Sequence, residues 1–267
     1  ITVEKKQGSC RLDRVTKARI LDLPGTYSLN ASSMDESVVV ELLLNKNDPD
    51  FPDVAVVVTD VENLKRNLLL FTQIKDLEIP TVLVINMSDQ MQRKGIKIDI
   101  EKLEEKLNTS LVLVSTRLNF GIEKLKQILI DYRSISTLPI FDPNTIDQDY
   151  FENLGKAFPN QSLYKLWLVI TQDVNFSRLE RQKIPDSTRF KTQPKSYLKK
   201  LQQRETIKRY QTINQILKET YSVNREEATD LRSKLDNLLI HKFWGYVIFF
   251  LILLIIFQAI FDWSSIP

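Results

Sequence analysis

The sequence contains few of the residues that build disulfides and metal sites. Among its 267 residues there is one cysteine, Cys10, and one histidine, His241. A single cysteine excludes an intramolecular disulfide, and a structural zinc site needs three or four Cys, His or carboxylate ligands at fixed spacing. The soft metal ligands Cys10, Met34, Met87, Met91 and His241 form no cluster along the sequence. These side chains therefore do not locate a metal centre.

An excess of either charge sign is also missing. The chain has 37 basic and 34 acidic residues, mixed along most of its length, and a formal net charge of +3. This balance implies no broad basic face, so we expect no nucleic-acid partner. With 43% hydrophobic and 27% charged residues, the composition is that of a folded protein rather than a disordered one.

A single long hydrophobic run lies near the C-terminal end. Residues 243–261 read FWGYVIFFLILLIIFQAIF, nineteen residues without a charge, which is the length of a helix that crosses a bilayer. Basic residues crowd its N-terminal side, so the positive-inside rule places residues 1–240 in the cytoplasm. We therefore expect a transmembrane helix at about 243–261, in contact with membrane lipid. A buried core helix is the alternative.

The first half of the chain alternates short apolar strands with helical patterns. Two strands within residues 3–22, joined by a turn near Leu12 and Asp13, are expected to be antiparallel. The later pattern is that of a parallel, helix-covered sheet, so we predict an α/β fold with helices on both faces. The expected strands are 54–60, 81–89 and 110–116, and the expected helices are 34–45, 61–78, 99–107 and 121–133.

From Ser134 onwards the strand pattern ends, and prolines separate several helical segments. These segments predict a small helical domain after the sheet. Its expected helices are 146–156, 161–173, 195–219 and 224–240. We therefore divide the chain into residues 1–137, 138–224 and 225–267, the last holding a juxtamembrane helix and the expected span.

The segment Asp22-Leu23-Pro24-Gly25 follows an apolar strand. A carboxylate at a strand end can hold Mg²⁺ through its water shell. The Gly25 backbone can approach a terminal phosphate, since no side chain intervenes. This Asp-x-x-Gly pattern indicates the phosphate side of a GTPase site, although the pattern alone also fits an ordinary turn.

Asn86-Met87-Ser88-Asp89 follows a buried strand and indicates the base side of the same site. A carboxylate there accepts hydrogen bonds from N1 and the exocyclic amine of guanine, and adenine would leave it unpaired. Met87 occupies the usual position of a lysine and can supply apolar cover for the base. An ordinary turn cap is the alternative for these residues.

Two further segments complete the candidate site. Ser115-Thr116-Arg117 follows the next strand and offers backbone donors to the base carbonyl. Thr2 precedes the first strand, at the position where GTPases place the switch threonine that ligates Mg²⁺.

Together these motifs resemble a known family. ITVE before the antiparallel pair, DLPGTYSL followed by SMDESVV, NMSD, and STRLNFGI are similar to the G domain of FeoB-type ferrous iron transporters. LRSKLDNLLIHKFWGYVIFF and FQAIFDWSSIP resemble the family's first membrane helix and the loop that follows it. The resemblance covers residues 1–137 and 225–267 well, and the stretch between them by position alone.

The resemblance implies a bacterial inner-membrane protein that moves Fe²⁺ into the cytoplasm, with a cytosolic P-loop-type GTPase domain and a helical spacer that favours GDP. GTP or GDP and Mg²⁺ would be its cofactors, with K⁺ a further candidate. The remaining membrane domain and a small cytosolic accessory protein would be its partners. Thr26 would stand in the water-orienting position, which implies slow hydrolysis. The nucleotide contacts would come from Thr2, Val3, Glu4, Asp22 to Gly25, Asn86 to Asp89 and Ser115 to Arg117, with Thr2 and Asp22 serving Mg²⁺.

The phosphate-binding pattern G-x-x-x-x-G-K-[S/T] does not occur in the sequence. In the family this loop lies upstream of the threonine that matches Thr2, so we expect the chain to be a fragment that is inactive as a GTPase by itself. A membrane-tethered, degenerate GTPase that acts as an interaction module is the alternative. A soluble GTPase associated with ribosomes or tRNA fits the hydrophobic run and the near-neutral charge less well.

Overall fold

The computed structural model of the protein describes residues 6–30, 33–159, 161–172, 190, 193–224 and 238–264. Thr2, Val3 and Glu4 lie outside the described residues, as does most of the expected helix at 224–240. By its internal contacts the chain divides into two units, Ile1–Ser88 with Ile98–Tyr221, and Asp89–Lys97 with Ser222–Pro267.

A three-stranded parallel sheet forms the centre of the first unit. Its strands are β3 (Ala55–Asp60), β4 (Thr81–Asn86) and β6 (Leu111–Leu113), in the order β3-β4-β6. β4 is flanked on both sides by parallel neighbours, and Asp60 lies opposite Asn86 in the β3–β4 register. The residues Thr81 to Ile85 of β4 are buried, as the central strand of a covered parallel sheet should be. The three expected parallel strands are thus confirmed, although the third, expected at 110–116, is limited to Leu111–Leu113.

Helices in the described residues follow the expected pattern closely. The amphipathic helix α5 packs with Ile122, Leu125 and Leu129 against the buried valines of the sheet. Full burial of an apolar side chain stabilises a fold by about 1.5–3 kcal/mol, and the partly buried side chains of α5 contribute less. The helices are α1 (Met34–Leu44), α2 (Leu64–Lys75), α3 (Asp89–Lys94), α4 (Ile100–Leu107), α5 (Ile122–Ile130), α6 (Gln148–Ala157), α7 (Leu163–Thr171), α8 (Lys195–Thr220) and α9 (Trp244–Ser264), with 3-10 turns at Tyr132–Ser134 and Pro143–Thr145.

The expected antiparallel pair forms a separate two-stranded sheet. β1 (Lys6–Arg11) pairs with β2 (Lys17–Asp22) from Lys6 opposite Asp22 to Arg11 opposite Lys17. In the described residues no hydrogen-bonded strand connects this sheet to β3. Val58 of the edge strand β3 is 60% exposed and Ile20 of β2 is 51% exposed.

Two short strands and one short helix were not expected from the sequence. β5 (Ile96–Ile98) and β7 (Tyr221–Val223) form a second two-stranded sheet. Hydrogen bonds join Asn224 N to Gly95 O and Asp99 N to Thr220 O, both at 2.8 Å, so the two strands run antiparallel. The segment 87–89, expected to continue β4, instead turns into α3.

A buried ion cluster lies among α2, α8 and the loop after the sheet. The fully buried guanidinium of Arg209 donates to Asp76 at 2.6 Å and to Glu205 at 2.8 Å. Glu205 also accepts from the indole N–H of Trp167 at 2.7 Å, and Asp76 accepts from the backbone N–H of Phe141 at 3.2 Å. Burial raises the pKa of Asp76, an effect that Arg209 and the backbone donors oppose.

Helix α9 contains most of the long hydrophobic run, and all its described apolar side chains except the half-buried Ile248 are exposed, which argues against the alternative of a buried core helix. His241 precedes it and accepts hydrogen bonds at Nδ1 from the backbone N–H groups of Phe243 and Trp244, each at 3.3 Å. Among the described residues, no helix is both long and apolar enough to cross a membrane. The expected span at 243–261 is therefore not confirmed.

Candidate functional site

Two loops at the carboxyl ends of β4 and β6 are joined by a pair of hydrogen bonds. Asn86 Oδ1 accepts from the backbone N–H of Thr116 at 3.2 Å, and Asn86 Nδ2 donates to the Thr116 hydroxyl at 3.5 Å. Since β4 and β6 are parallel neighbours, their carboxyl ends meet at one edge of the sheet, where α/β folds bind ligands. The structure therefore brings together two residues that the sequence assigned to the base side of one site.

The residue after Asn86 makes a tight turn. Met87 has φ 60, a left-handed conformation that costs an L-residue about 1–2 kcal/mol. The next residue, Ser88, donates its backbone N–H to Val114 O at 3.0 Å, which fixes the loop against the end of β6. The Met87 side chain is 46% exposed, so its thioether remains available to contact a ligand.

The loop after β6 has a fixed shape. Ser115 and Phe120 exchange backbone hydrogen bonds of 3.1 and 3.0 Å, and Asn119 between them is left-handed with φ 51. Gly121 has φ +83, and a Cβ built on it would lie 2.1 Å from Leu113 O. Only glycine fits there without a shift of the backbone. The predicted donors Ser115 to Arg117 therefore belong to a preformed loop.

Asp89, the predicted guanine ligand, is the first residue of α3 and belongs to the second unit of the chain. A carboxylate in the first turn of a helix is stabilised by the helix dipole and by free backbone N–H groups. It follows Ser88 directly, so the whole Asn86 to Asp89 sequence spans the end of β4 and the start of α3.

The phosphate-side segment lies on the other sheet. Asp22 is the last residue of β2 and is exposed, opposite Lys6. Leu23 to Gly25 follow without regular structure, and a Cβ on Gly25 would meet nothing within 4 Å. The space around Gly25 thus leaves room for a close approach of another group.

Thr26 is engaged with its own segment. Its hydroxyl donates to Ser28 O at 2.8 Å and lies 3.5 Å from the carboxylate of Glu36. The hydroxyl is therefore held by protein oxygens. A water-orienting role requires a rearrangement of this segment.

Side chains of α2 anchor the residues that follow Asp22 to Gly25, a feature that sequence reasoning missed. The guanidinium of Arg66 stacks on the ring of Tyr27 at 3.5 Å, and the buried Gln73 accepts from Leu29 N at 2.8 Å. Such long-range partners leave no local sequence signal.

Asp60 at the end of β3 was also missed. Its Oδ1 accepts from the backbone N–H groups of Glu62 and Asn63 at 2.9 and 2.8 Å. Asn67 donates from its side chain to Thr59 at 2.8 Å. These bonds fix the loop between β3 and α2. The loop begins at Asp60, which lies opposite Asn86 in the β3–β4 register.

The next question is whether the described side chains could hold a metal ion. The described residues contain no group of three or more His, Cys, Asp or Glu side chains that could hold a metal ion by themselves. Mg²⁺ in nucleotide sites needs only one or two protein carboxylates, with waters and phosphates completing the shell. The exposed Asp22 suits that limited role.

The family model and the similar proteins that match this chain all carry the name of one family. Residues 1–129 match the family model of ferrous iron transport protein B. The Fe(2+) transporter FeoB of Leptospira biflexa is 30% identical over the whole of this chain, which spans 40% of that protein. A fusion of Fe(2+) transport protein A with Fe(2+) transporter FeoB from Porphyromonas gingivalis is also 30% identical, and the chain spans 34% of it.

Solved structures of similar proteins have the same fold as this chain. The cytosolic domain of the T. maritima FeoB iron transporter in its GMPPNP form superposes with a TM-score of 0.70 at 23% identity, over 83% of this chain and 86% of that one. The protein therefore has the α/β fold of P-loop GTPases, built around a parallel sheet. With the family match over residues 1–129 and the similarity to Fe(2+) transporter FeoB over the whole chain, these comparisons identify a FeoB-type sequence.

Proposed function

We propose that the chain is part of a GTP-dependent ferrous iron transporter of the bacterial inner membrane. Residues 1–137 form its G domain, which binds and slowly hydrolyses GTP to gate Fe²⁺ uptake, and residues 138–224 form a helical spacer. Similar proteins carry the name Fe(2+) transporter FeoB, and the similar T. maritima cytosolic domain was solved with GMPPNP, a guanine nucleotide.

The observation that carries the proposal is the pair of hydrogen bonds between Asn86 and Thr116. It holds the two base-side loops together before any ligand binds, so little ordering entropy is lost on binding. Asp89 accepts from N1 and the exocyclic amine of guanine, and the loop Ser115 to Arg117 lies on the side of the base carbonyl. The backbone N–H groups of Ser115 and Thr116 already donate to Phe120 O and Asn86 Oδ1, so they reach the base only by exchanging these bonds. Met87 covers one face of the base.

The phosphate side is assigned to the segment Asp22 to Gly25. We assign Asp22 and Thr2 to Mg²⁺ binding, and Val3 and Glu4 to further contacts with the nucleotide. The backbone at Gly25 is assigned to contact with the γ-phosphate. Bound Mg²⁺ would neutralise phosphate charge, and K⁺ is a further candidate there.

We assign the phosphate-cradling loop to a segment outside these 267 residues, whose sequence lacks the motif. The exposed Ile20 on β2 and Val58 on β3 support a position for it. Both belong to edge strands, which present unpaired backbone groups and can accept another strand. A strand between β2 and β3 would join the two sheets and lead into a loop near Asp22 and Asp60.

We assign α9 to the membrane domain of the longer protein, and residues 1–240 to the cytoplasm. The support is the uncharged sequence 243–261 together with the exposure of side chains such as Phe250 and Leu254. Contiguous exposed apolar surface of this kind favours a lipid or protein cover. The fused accessory protein in the Porphyromonas relative supports a small cytosolic partner.

The test is nucleotide binding by the chain and by a version extended with its native upstream residues. The extended protein should bind fluorescent GDP in the presence of Mg²⁺ and bind ADP at least about 100-fold more weakly, because adenine leaves the Asp89 carboxylate unpaired. Asn86→Ala should weaken GDP binding, whereas Asn144→Ala, away from the base loops, should not. Equal affinity for GDP and ADP would contradict the proposal, and no binding at all would favour the tethered, non-catalytic module.

A further inference from the structure

The β1–β2 hairpin has a net positive charge as large as that of the whole chain. Residues 6–22 contain five basic and two acidic residues, so their surplus equals the net charge of +3 of the whole protein. All five basic side chains are exposed. They are Lys6, Arg11, Arg14, Lys17 and Arg19.

The charges near the turn are not neutralised within the described residues. Arg11 and Lys17 lie directly opposite each other in the register, an arrangement of like charges that destabilises a hairpin. No described carboxylate forms an ion pair with Arg11, Arg14 or Lys17. Arg19, further from the turn, does have such a partner in Asp50 at 3.0 Å. Among the described residues, the three cations at the turn therefore have no carboxylate partner.

The one carboxylate at the turn is used inside it. Asp13 Oδ1 accepts from the backbone N–H groups of Val15 and Thr16 at 2.7 and 2.5 Å, and Oδ2 lies 3.3 Å from the Thr16 hydroxyl. These backbone hydrogen bonds lower the pKa of Asp13, so the carboxylate stays ionised while it fixes the turn. The turn then presents Arg14 and Val15 outwards, and Val15 is 94% exposed.

We propose that this hairpin tip, defined as Arg11, Arg14, Val15 and Lys17, binds the anionic lipid surface of the membrane. An exposed apolar side chain flanked by cations matches the interfacial region, where apolar groups enter and basic groups contact headgroups. An acidic protein surface would satisfy the same cations and is the alternative that the experiment below separates from lipid. The inference rests on the proposed membrane attachment through α9.

The experiment uses the full chain reconstituted in nanodiscs of phosphatidylcholine, with or without phosphatidylserine. An environment-sensitive dye is attached to Val15→Cys in a Cys10→Ser background. Its emission should shift to shorter wavelength only in the discs with phosphatidylserine. The shift should disappear in about 0.5 M salt, where screening limits charge interactions to a few ångströms.

Charge variants provide the decisive comparison. Replacing Arg11, Arg14 and Lys17 by Gln should lower the ratio of bound to free tip about 100-fold, since each cation near an anionic surface contributes about fivefold. A control that replaces three basic residues of α8 by Gln should leave the shift unchanged. Its positions are Lys195, Lys199 and Lys200.

Two results would overturn the inference. The first is an unshifted emission in anionic discs, which would leave an acidic protein as the alternative partner. The second is a shift that the triple tip variant retains. GDP binding by the upstream-extended protein is measured in the same discs. If GDP binds while either result occurs, the inference about the tip fails but the proposed function stands, because the tip plays no part in nucleotide contact.

Discussion

Replacing Arg209 by leucine should destabilise the first unit strongly. The guanidinium is completely buried and bridges two carboxylates, Asp76 at 2.6 Å and Glu205 at 2.8 Å. Leucine leaves both carboxylates buried without a counter-charge, and removal of one partner from a buried pair costs about 3–5 kcal/mol. Backbone and indole donors still bind the carboxylates, so we expect the lower end of this range, a large share of a typical stability of about 5–15 kcal/mol.

The assay is urea unfolding in detergent, followed by the fluorescence of the buried Trp167. Arg204→Leu is the matched control, since its side chain is 61% exposed and lies 4.0 Å from Asp147. Such surface pairs contribute about 0–1 kcal/mol. A variant with Leu at Asp76, Glu205 and Arg209 together should recover much of the loss, because apolar replacement of a whole buried ion cluster is often neutral or stabilising. Equal stability of Arg209→Leu and Arg204→Leu would refute the reasoning.

Two further predictions concern Lys75 and Gly121. Lys75 is buried and donates to Ser136 O at 2.7 Å, and burial lowers its pKa from 10.5 to about 8. As the pH rises, the folded chain therefore loses this proton at a lower pH than the unfolded chain does. The free energy of unfolding should rise between about pH 8 and pH 10.5 by up to about 3 kcal/mol. Unfolding titrations should show this rise, and Lys75→Met should abolish it; an unchanged slope in the variant would contradict the assignment. Gly121→Ala should cost at least about 1 kcal/mol and weaken GDP binding by the upstream-extended protein, because its Cβ would meet Leu113 O. Gly8→Ala, with nothing within 4 Å, should leave the binding of GDP unchanged, and equal effects of the two variants would refute the argument.

The parallel sheet and most helices could be predicted because their signals are local. The β4 segment contains an uninterrupted apolar run from Val82 to Ile85, and α4 begins at Ile100 after the cap residue Asp99. The strands β5 and β7 have three residues each, too few for a periodic pattern. They form because Gly95 and Asn224 meet, which no local signal announces.

Side-chain contacts divide into a pair at the candidate site that could be predicted and a buried ion cluster, outside the site, that could not. Asn86 and Thr116 could be predicted since strand-end residues of parallel neighbours share one edge of the sheet. The ion cluster could not, because Glu205 and Arg209 are spaced i,i+4 on α8 and read as an exposed helical pair. Only the packing of Asp76 against them shows that this pair is buried.

The most direct test of the central claim is a change of base preference. In the upstream-extended protein, Asp89→Asn should weaken GDP binding about 100-fold, since a hydrogen bond to a charged group contributes about 1.5–3 kcal/mol. The same variant should bind XDP better than the parent does, because the amide of asparagine can donate to the 2-carbonyl of xanthine. Competition of fluorescent GDP with XDP measures both effects. An Asp89→Asn variant that keeps its preference for GDP over XDP would contradict guanine recognition at this loop.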